Sequence, residues 1–498
     1  MTPDYIVIGA GSSGCVIVNR LSADPSVRVL LIEAGDSGEE DAFVTTPGRW
    51  SSLMGSQYDW SYVTEPEPGL SNRRIATPRG KAHGGSSAIN AMVHIRGHRL
   101  CFDAWRARGN AGWDYEELLP LFKRSEHNDG GSSHYRGTDG PLAVSRCPDP
   151  HASHEAFLSA ATDLGFRADP QYDFNVADPA GVAGVYQRNI LNGRRHSAAA
   201  AFLAPAMTRP NVEVHSRSQV VRLIREGRSV LGVEYWRDGA LTRVRAEREV
   251  VLCAGAVDSP RLLMLSGIGP AERLRAYGID VVADLPGVGR NLQDHLKVSV
   301  RWQGKTTLPG STVTAGLFTS STSTSPPDLQ FYVGRGLEQP DDMVTITVSL
   351  VRPESRGSIV LRSADPLAAP LIRANYLQAD ADTAALVYGA RLTRQLGMSR
   401  AYDGLRGEET EPGAMLTSDR DLERFVREKA DTIYHLAGTC RMGPDSERDA
   451  VVDASLRVHG VERLRVADAA IMPNVVNAPT HAACVAIGEK CAVLISGR

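Results

Sequence analysis

Asp4-Tyr5-Ile6-Val7-Ile8-Gly9-Ala10-Gly11-Ser12-Ser13-Gly14 decides the fold of this chain. An apolar run meets three glycines at the spacing G-x-G-x-x-G. A helical segment then continues to about Ala23, and a second apolar run, Val29-Leu30-Leu31-Ile32, ends on Glu33. Strand, tight turn, helix, and a strand with an acid at its tip is the arrangement that holds a dinucleotide. Gly9 permits the sharp turn, Gly11 lets the backbone approach a pyrophosphate, and Gly14 lets the helix lie against the strand. The amides that open the helix, at Ser12 and Ser13, offer free N–H groups and the positive end of the helix dipole to phosphate. Glu33 is placed to accept hydrogen bonds from the two ribose hydroxyls.

A chain of 498 residues can bury a large core and hold two domains. Its 55 Lys and Arg nearly balance 58 Asp and Glu, and the formal charge of -3 gives no general pull toward nucleic acid or an anionic membrane. No repeat or low-complexity tract stands out, and the small polar stretch Ser311 to Pro327 reads as a loop. With a first strand beginning at about residue 4, no room remains for a leader, and no apolar run has transmembrane length, so a cytoplasmic protein without a membrane span is expected. Cys15, Cys101, Cys147, Cys253, Cys440, Cys484 and Cys491 are scattered, without a C-x-x-C pair or a Cys/His cluster. Neither a disulfide framework nor a metal site is indicated, and reduced, buried thiols are expected.

Pro78 to Val93 contains Gly84-Gly85-Ser86-Ser87, a backbone that approaches a ligand closely while offering N–H and hydroxyl donors. It suits a second face of one long cofactor; an ordinary glycine-rich loop is the alternative. Helical periodicity is expected over residues 98 to 126, from His151 to Leu164 and from Asn192 to Leu203, with a turn-rich excursion from His127 to Gly140. Val212 to His215, Val220 to Ile224 and Val230 to Tyr235 read as an antiparallel meander. Glu249 to Cys253 looks like a return to the first sheet, followed by a helix. Asp328 to Val333, Val344 to Leu350 and Ser358 to Leu361 alternate like strands of a sheet with one solvated face. Helices are expected at Asp380 to Leu396, at Asp419 to Ala430 and, closing the chain, from about Ala482 to Ile495.

Gly255-Ala256, Ser259-Pro260, Leu262-Leu263 and Ser266-Gly267-Ile268-Gly269 resemble the second signature of the glucose-methanol-choline (GMC) oxidoreductase family. Gly80 to Val93 resembles the first, with His83 where an aliphatic residue is usual and His94 where an aromatic one is. Gly287-Val288-Gly289-Arg290-Asn291-Leu292-Gln293-Asp294-His295 is also similar, so the resemblance spans nearly the whole chain. It implies an α/β fold: a Rossmann-like FAD-binding domain of residues 1–150, 190–298 and 436–498, and a sheet-based α+β substrate domain of residues 151–189 and 299–435. It implies FAD contacts at Gly84, Ser86, Asn90, Ala91, Val93 and Val220, and, after the strand that ends at Asp468, at Asp468, Ala469 and Ala482. An acid at that strand tip can accept from the ribityl or pyrophosphate region, a reason to prefer FAD over NAD.

Thr432-Ile433-Tyr434-His435 resembles the family segment whose histidine faces the flavin, which makes His435 the candidate base. The second catalytic position falls on His481, midway between Pro473 and Glu489; Asn477, in a string displaced by four residues, is the alternative. Trp60 and Tyr434 take the places of pocket walls in choline-oxidising members, and Ile433 that of a neighbour of the oxygen-access site, so all three are expected in the substrate pocket. Ile89 stands where those members carry a histidine bonded to the flavin and Ala91 where they carry a serine, so non-covalent FAD is expected, with a bond to His83 left open. The implied activity is oxidation of a primary alcohol, aryl or furanic, to the aldehyde by hydride transfer to flavin N5, with oxygen or another acceptor taking the electrons. No carboxylate for a trimethylammonium group is identified. The alternatives are a choline-type dehydrogenase using a quinone or dye, and a non-oxidative member, either a hydroxynitrile lyase or a fatty acid photodecarboxylase.

Overall fold

The computed structural model describes residues 2–146, 152–307, 313–322, 326–334 and 342–497. Cys147, His151 at the head of an expected helix, and the expected domain boundary between residues 150 and 151 lie outside the described residues. Of the expected loop from Ser311 to Pro327, residues 311–312 and 323–325 lie outside them, and the expectation fails for Val313–Thr319, which is a strand of the second sheet because its backbone pairs with a strand on either side.

The strand β1 (Tyr5–Ile8) is buried along its whole length and leads through Gly9 into α1 (Ser12–Leu21) and then β2 (Val29–Ile32), which lies beside it in parallel. β3 (Val212–His215) extends the sheet past β2. β4 (Glu249–Leu252) pairs with the other side of β1 and is followed by α2 (Gly255–Leu265), and β5 (Leu464–Val466) closes the far edge. The order is β5-β4-β1-β2-β3 with every pairing parallel. Parallel sheets are covered on both faces, which is why residues 6–8, 29–32 and 250–252 read as unbroken Val, Ile and Leu runs.

The last helix, α3 (His481–Ser496), packs along α1 in the same direction. Ser13 Oγ donates to the Cys484 carbonyl at 2.7 Å, a Cβ on Gly488 would stand 2.7 Å from the Ser13 carbonyl oxygen, and Arg20 meets the buried Glu489 carboxylate at 2.6 Å. Two helix N-termini, each with unsatisfied amides and a positive dipole end, therefore open side by side at the C-terminal edge of the sheet.

A second sheet takes strands from distant parts of the chain in the order Arg406–Glu411, Leu296–Gly304, Met343–Leu350, Leu329–Gly334, Val313–Thr319, Val182–Val185 and Arg167–Ala168, with Asp431–Thr432 also paired to Leu296–Gly304. The expected solvated face is absent along Val344–Leu350, every residue of which is buried. The helix Asp380–Met398 covers one side, where Gly389 lies against Val348 and Gly397 against Trp302, and the other side faces the dinucleotide sheet. Ser358–Val360 joins neither sheet and pairs with Leu371–Arg373 instead.

Three other expectations change. Val212–His215 leaves the meander for the parallel sheet, and the meander is made of Gln219–Glu226, Ser229–Arg237 and Ala240–Arg245. Arg217, at φ +50, turns the chain out of the first sheet rather than back along it, and adjacency in sequence had suggested a hairpin. Residues 98 to 126 form two helices, Arg99–Ala107 and Tyr115–Ser125. The segment read as one helix over 192 to 203 begins as a tight hairpin, Ile190–Leu191 against Arg194–Arg195, and coils only from Ala199. Among the described residues no helix is long and apolar enough to cross a membrane, and no group of three or more His, Cys, Asp or Glu could hold a metal ion. The six described cysteines are free and buried.

Candidate active site

A cavity of about 310 Å³ lies between the glycine turn and the inner face of the second sheet. Gly9, at φ +97, makes the turn; a Cβ there would lie 2.5 Å from the Cys253 carbonyl oxygen. Gly14 does not line the cavity and has a packing task, since its Cβ would fall 2.0 Å from the Gly9 carbonyl oxygen. Gly11 lines it with ordinary room around a notional Cβ, so its bareness serves whatever the cavity holds. Ser12 and Ser13 line it at the mouth of α1.

The loop over residues 80–93 is tied to this turn. Gly84, expected as a cofactor contact, is set back from the cavity and donates its N–H to the Ala10 carbonyl at 2.7 Å. Gly85 takes the lining position at φ +51, where a Cβ would come within 2.8 Å of Gly11 Cα. Ser86, Asn90, Ala91 and Val93 line the cavity as expected, as does Val220. Ala482 is buried behind the wall, one residue inside α3, and does not line it.

Glu33 lines the cavity from the tip of β2. Its Oε2 accepts from Ala10 N–H and its Oε1 from Gly35 N–H, both at 2.8 Å. Burial raises its pKa to about 7, against the pull of those backbone bonds. Two acceptor sites are used by the protein, and a carboxylate has about four, so capacity remains for ribose hydroxyls. Asp468 also reaches the cavity, but its carboxylate is engaged by Gly255 N–H at 2.8 Å, Ser259 Oγ at 2.6 Å and Ala470 N–H at 2.7 Å. Its main work is to clamp the end of β5 to the start of α2, with Ala469 beside it in the wall.

His435 and His481 both line the cavity although 45 residues of loop, strand and turn separate them in the chain. Asp294 Oδ1 holds the His435 backbone N–H at 2.7 Å and the His295 N–H at 2.9 Å, and its Oδ2 accepts from the hydroxyls of Tyr376 and Thr432. The His435 ring meets the His295 ring Nδ1 to Nδ1 at 2.9 Å, which leaves Nε2 for the cavity. Burial, then the neighbouring His295 and Arg79, hold the His435 pKa well below 6.5, so the ring is neutral. His481 opens α3; its Nδ1 lies 2.8 Å from Ser12 Oγ, and its Nε2 is a buried polar atom without a partner. Burial, followed by His94 and Arg195, lowers its pKa to about 3.

Asn477 is excluded from the second position. Its Oδ1 accepts from His98 N–H at 2.8 Å, its Nδ2 donates to the Pro327 carbonyl at 3.1 Å, and it does not line the cavity. His83 also turns away, its Nε2 at 2.8 Å from Ser216 Oγ, while apolar Ile89 lines the wall. His94 sits in a buried ionic cluster with Glu126, Arg96 and Arg136, which accounts for its place where an aromatic residue is usual.

Trp60, Ile433 and Tyr434 line the cavity. Trp60 stacks on Tyr62 with centroids 5.8 Å apart, and Tyr434, at φ +72, is pinned by Arg79, which donates to its carbonyl. Lys297 Nζ sits 5.6 Å from the Tyr434 ring centroid. Arg79, Asp294, His295 and Lys297 were not singled out from the sequence. The signal for two of them was present, since Asp294 and His295 end the motif that begins at Gly287.

The residues fit a flavin dinucleotide. A bare Gly11, two helix N-termini, an acid with spare acceptor capacity and the orphaned Nε2 of His481 converge on one elongated cavity. A family model described as GMC oxidoreductase matches residues 3–297 and a second of the same description matches residues 353–488. Mitochondrial choline dehydrogenase of Mus musculus is 40% identical over 99% of this chain and 89% of its own length. Oxygen-dependent choline dehydrogenase of Brucella anthropi is 38% identical over 100% of this chain and 96% of its own. Among solved structures, pyridoxine 4-oxidase from Mesorbium loti superposes with a TM-score of 0.94 at 33% identity, covering 100% of both chains. With both family models matched and its cavity built for FAD, the chain belongs to the GMC oxidoreductases, as an FAD-dependent enzyme acting on CH–OH groups.

Proposed function

We propose that the enzyme oxidises a primary alcohol of aryl or furanic type to the aldehyde, with His435 as the base and dissociable FAD as the cofactor. The observation that carries this reading is the convergence of two neutral imidazoles on a cavity that also contains the dinucleotide cradle. FAD bound there supplies the hydride acceptor, its N5. His435 Nε2 takes the hydroxyl proton as the hydride leaves the carbon, a task open to a neutral imidazole. His481 Nε2–H, which has no partner among the described residues, donates to the developing alkoxide and so binds the transition state more tightly than the ground state. A flat substrate is favoured by Trp60 and Tyr434 in the wall.

Choline is the second reading, favoured by the names of the two relatives at 38–40% identity. Against it, a trimethylammonium head at Tyr434 would share the ring with the Lys297 ammonium, a like charge.

The test is anaerobic bleaching of the bound flavin by a panel of aryl, furanic and aliphatic alcohols and choline, followed by readmission of air. Bleaching by aryl or furanic alcohols, abolished in His435→Ala with FAD still bound, is the expected result. Bleaching by choline alone would replace the first reading with the second. Fast reoxidation in air marks oxygen as the acceptor; slow reoxidation with turnover on a quinone or dye marks a dehydrogenase.

A further inference from the structure

His295 lies outside the cavity, is fully buried, and holds the ring of His435 Nδ1 to Nδ1 at 2.9 Å. That bond joins two Nδ1 atoms, so one ring carries the proton and the other accepts it. Which ring donates follows from the other side of His295. Among the described residues no group meets its buried Nε2 at hydrogen-bond distance, and the backbone carbonyls of Val351 and Val476 bear on the ring. Both favour a proton on the ring, and with Nδ1 turned to His435 the nitrogen free to carry it is Nε2. His295 is therefore the Nε2–H tautomer with a lone pair on Nδ1, and the shared proton belongs to His435 Nδ1. That leaves the lone pair of His435 on Nε2, the nitrogen that faces the cavity.

We infer that His295 is the positioning residue that fixes the tautomer and ring plane of His435, so that the lone pair of the base points at the substrate hydroxyl. This rests on the reading of His435 as the base. The two rings cross at 89° with centroids 5.1 Å apart, so rotation of either ring breaks the bond. The backbones are fixed as well, because Asp294 Oδ1 accepts from the N–H groups of both histidines. The Asp294 carboxylate thus bonds the His435 main chain, and the side-chain partner is a neutral ring. A carboxylate partner would hold the imidazolium and raise its pKa; a buried imidazole accepts the Nδ1 proton without adding an opposite charge. Burial keeps His295 neutral, with its pKa lowered to about 3.

The test uses the FAD-loaded enzyme, two substitutions at position 295, and selective 15N-histidine labelling. The 15N spectrum of the resting enzyme, assigned by difference from His435→Gln and His295→Asn, should show His435 protonated on Nδ1 and His295 protonated on Nε2. His295→Leu removes the acceptor and should slow anaerobic bleaching by alcohol roughly tenfold to a hundredfold, the scale set by misorienting a reacting group. Substrate affinity and FAD content should stay within about twofold of the parent. His295→Asn places an oxygen acceptor near the old Nδ1 position and should recover most of the rate. A resting His435 protonated on Nε2, or equal bleaching rates in His295→Leu and His295→Asn, would overturn the inference; the spectrum decides if His295→Leu fails to fold. His435→Ala separates the two claims. Full bleaching in that variant removes the base itself, whereas lost bleaching there beside an unimpaired His295→Leu removes only the role of His295.

Discussion

The glycine turn and the histidine pair line the same cavity but are built in opposite ways. The turn is local: Gly9, Gly11, Ser12, Ser13 and Glu33 come from one strand-helix-strand unit, and their geometry is set by backbone bonds and by the absence of Cβ atoms. The histidine pair has no local logic. His435 follows a two-residue strand at the edge of the second sheet and is held by Asp294 and His295 from far upstream, and His481 is the first residue of a helix packed on α1. One region tolerates almost no added volume, and the other depends on which polar atom meets which.

The sharpest break of that contrast is Gly14→Ala. Its methyl group would fall 2.0 Å from the Gly9 carbonyl oxygen, where backbone must move, so loss of FAD and destabilisation of about 3 kcal/mol or more are expected. Absorbance of the purified protein and denaturant unfolding measure both. A stable yellow variant would show the turn to be as adaptable as the histidine region.

At that other region, His481→Ala should keep FAD and the fold yet slow flavin reduction by about a hundredfold, the usual loss for one donor to a developing oxyanion. Stopped-flow reduction with a good alcohol substrate reads it, and an unchanged rate would remove His481 from the site. Asp294→Ala tests whether the pair is held in place through the main chain. It strands four donors, those of His295 N, His435 N, Tyr376 and Thr432, and should destabilise the protein by about 3 kcal/mol while slowing reduction roughly tenfold. Normal stability with normal rate would show that other contacts suffice.

The smallest expected effect is a drift of stability with pH. Burial holds His435 well below 6.5, and His295 and His481 at about 3, so below about pH 6.5 the unfolded chain binds protons that the folded chain refuses. Stability therefore falls as pH drops from 6.5 toward 3. Glu33, raised to about 7, acts in the opposite sense: the folded chain keeps a proton between about 4.5 and 7, and that contribution is lost as pH rises through 7. Burial also lowers the pKa of His83, His94, His98 and His196 and raises that of Glu39, Glu67, Asp294 and Asp468, so seven histidines stand against five acids and the histidines set the sign. The melting temperature of FAD-free protein should drop by a few degrees between about pH 6.5 and about pH 4.5, with a smaller drop in His481→Asn. A melting temperature flat over that range would mean that these rings are hydrated in solution.

The same contrast explains what could be read in advance. The dinucleotide turn was legible because every requirement is met within the first 35 residues, and two strands of the second sheet, Leu329–Gly334 and Met343–Leu350, because their alternation is local; Val313–Thr319, set in a small polar stretch, read as a loop. Val212–His215 was misassigned because a parallel partner is never the neighbour in sequence. The burial of both faces of Met343–Leu350 was missed because alternation says nothing of what will cover the polar side. His435 and His481 were reached through resemblance and motif spacing; as single histidines in an unaligned chain they carry little signal.

By itself, the sequence determined that the chain would open on a strand, a tight glycine turn and a helix with free amides, since steric room at Gly9 and Gly14 and free amides at α1 are properties of a few consecutive residues. Only the tertiary structure decided that His481 rather than Asn477 enters the cavity, that Gly85 rather than Gly84 faces it, and that His295 stands behind His435. Those outcomes depend on which atoms become neighbours after distant segments pack, and the direction of a hydrogen bond is settled by both of its partners together.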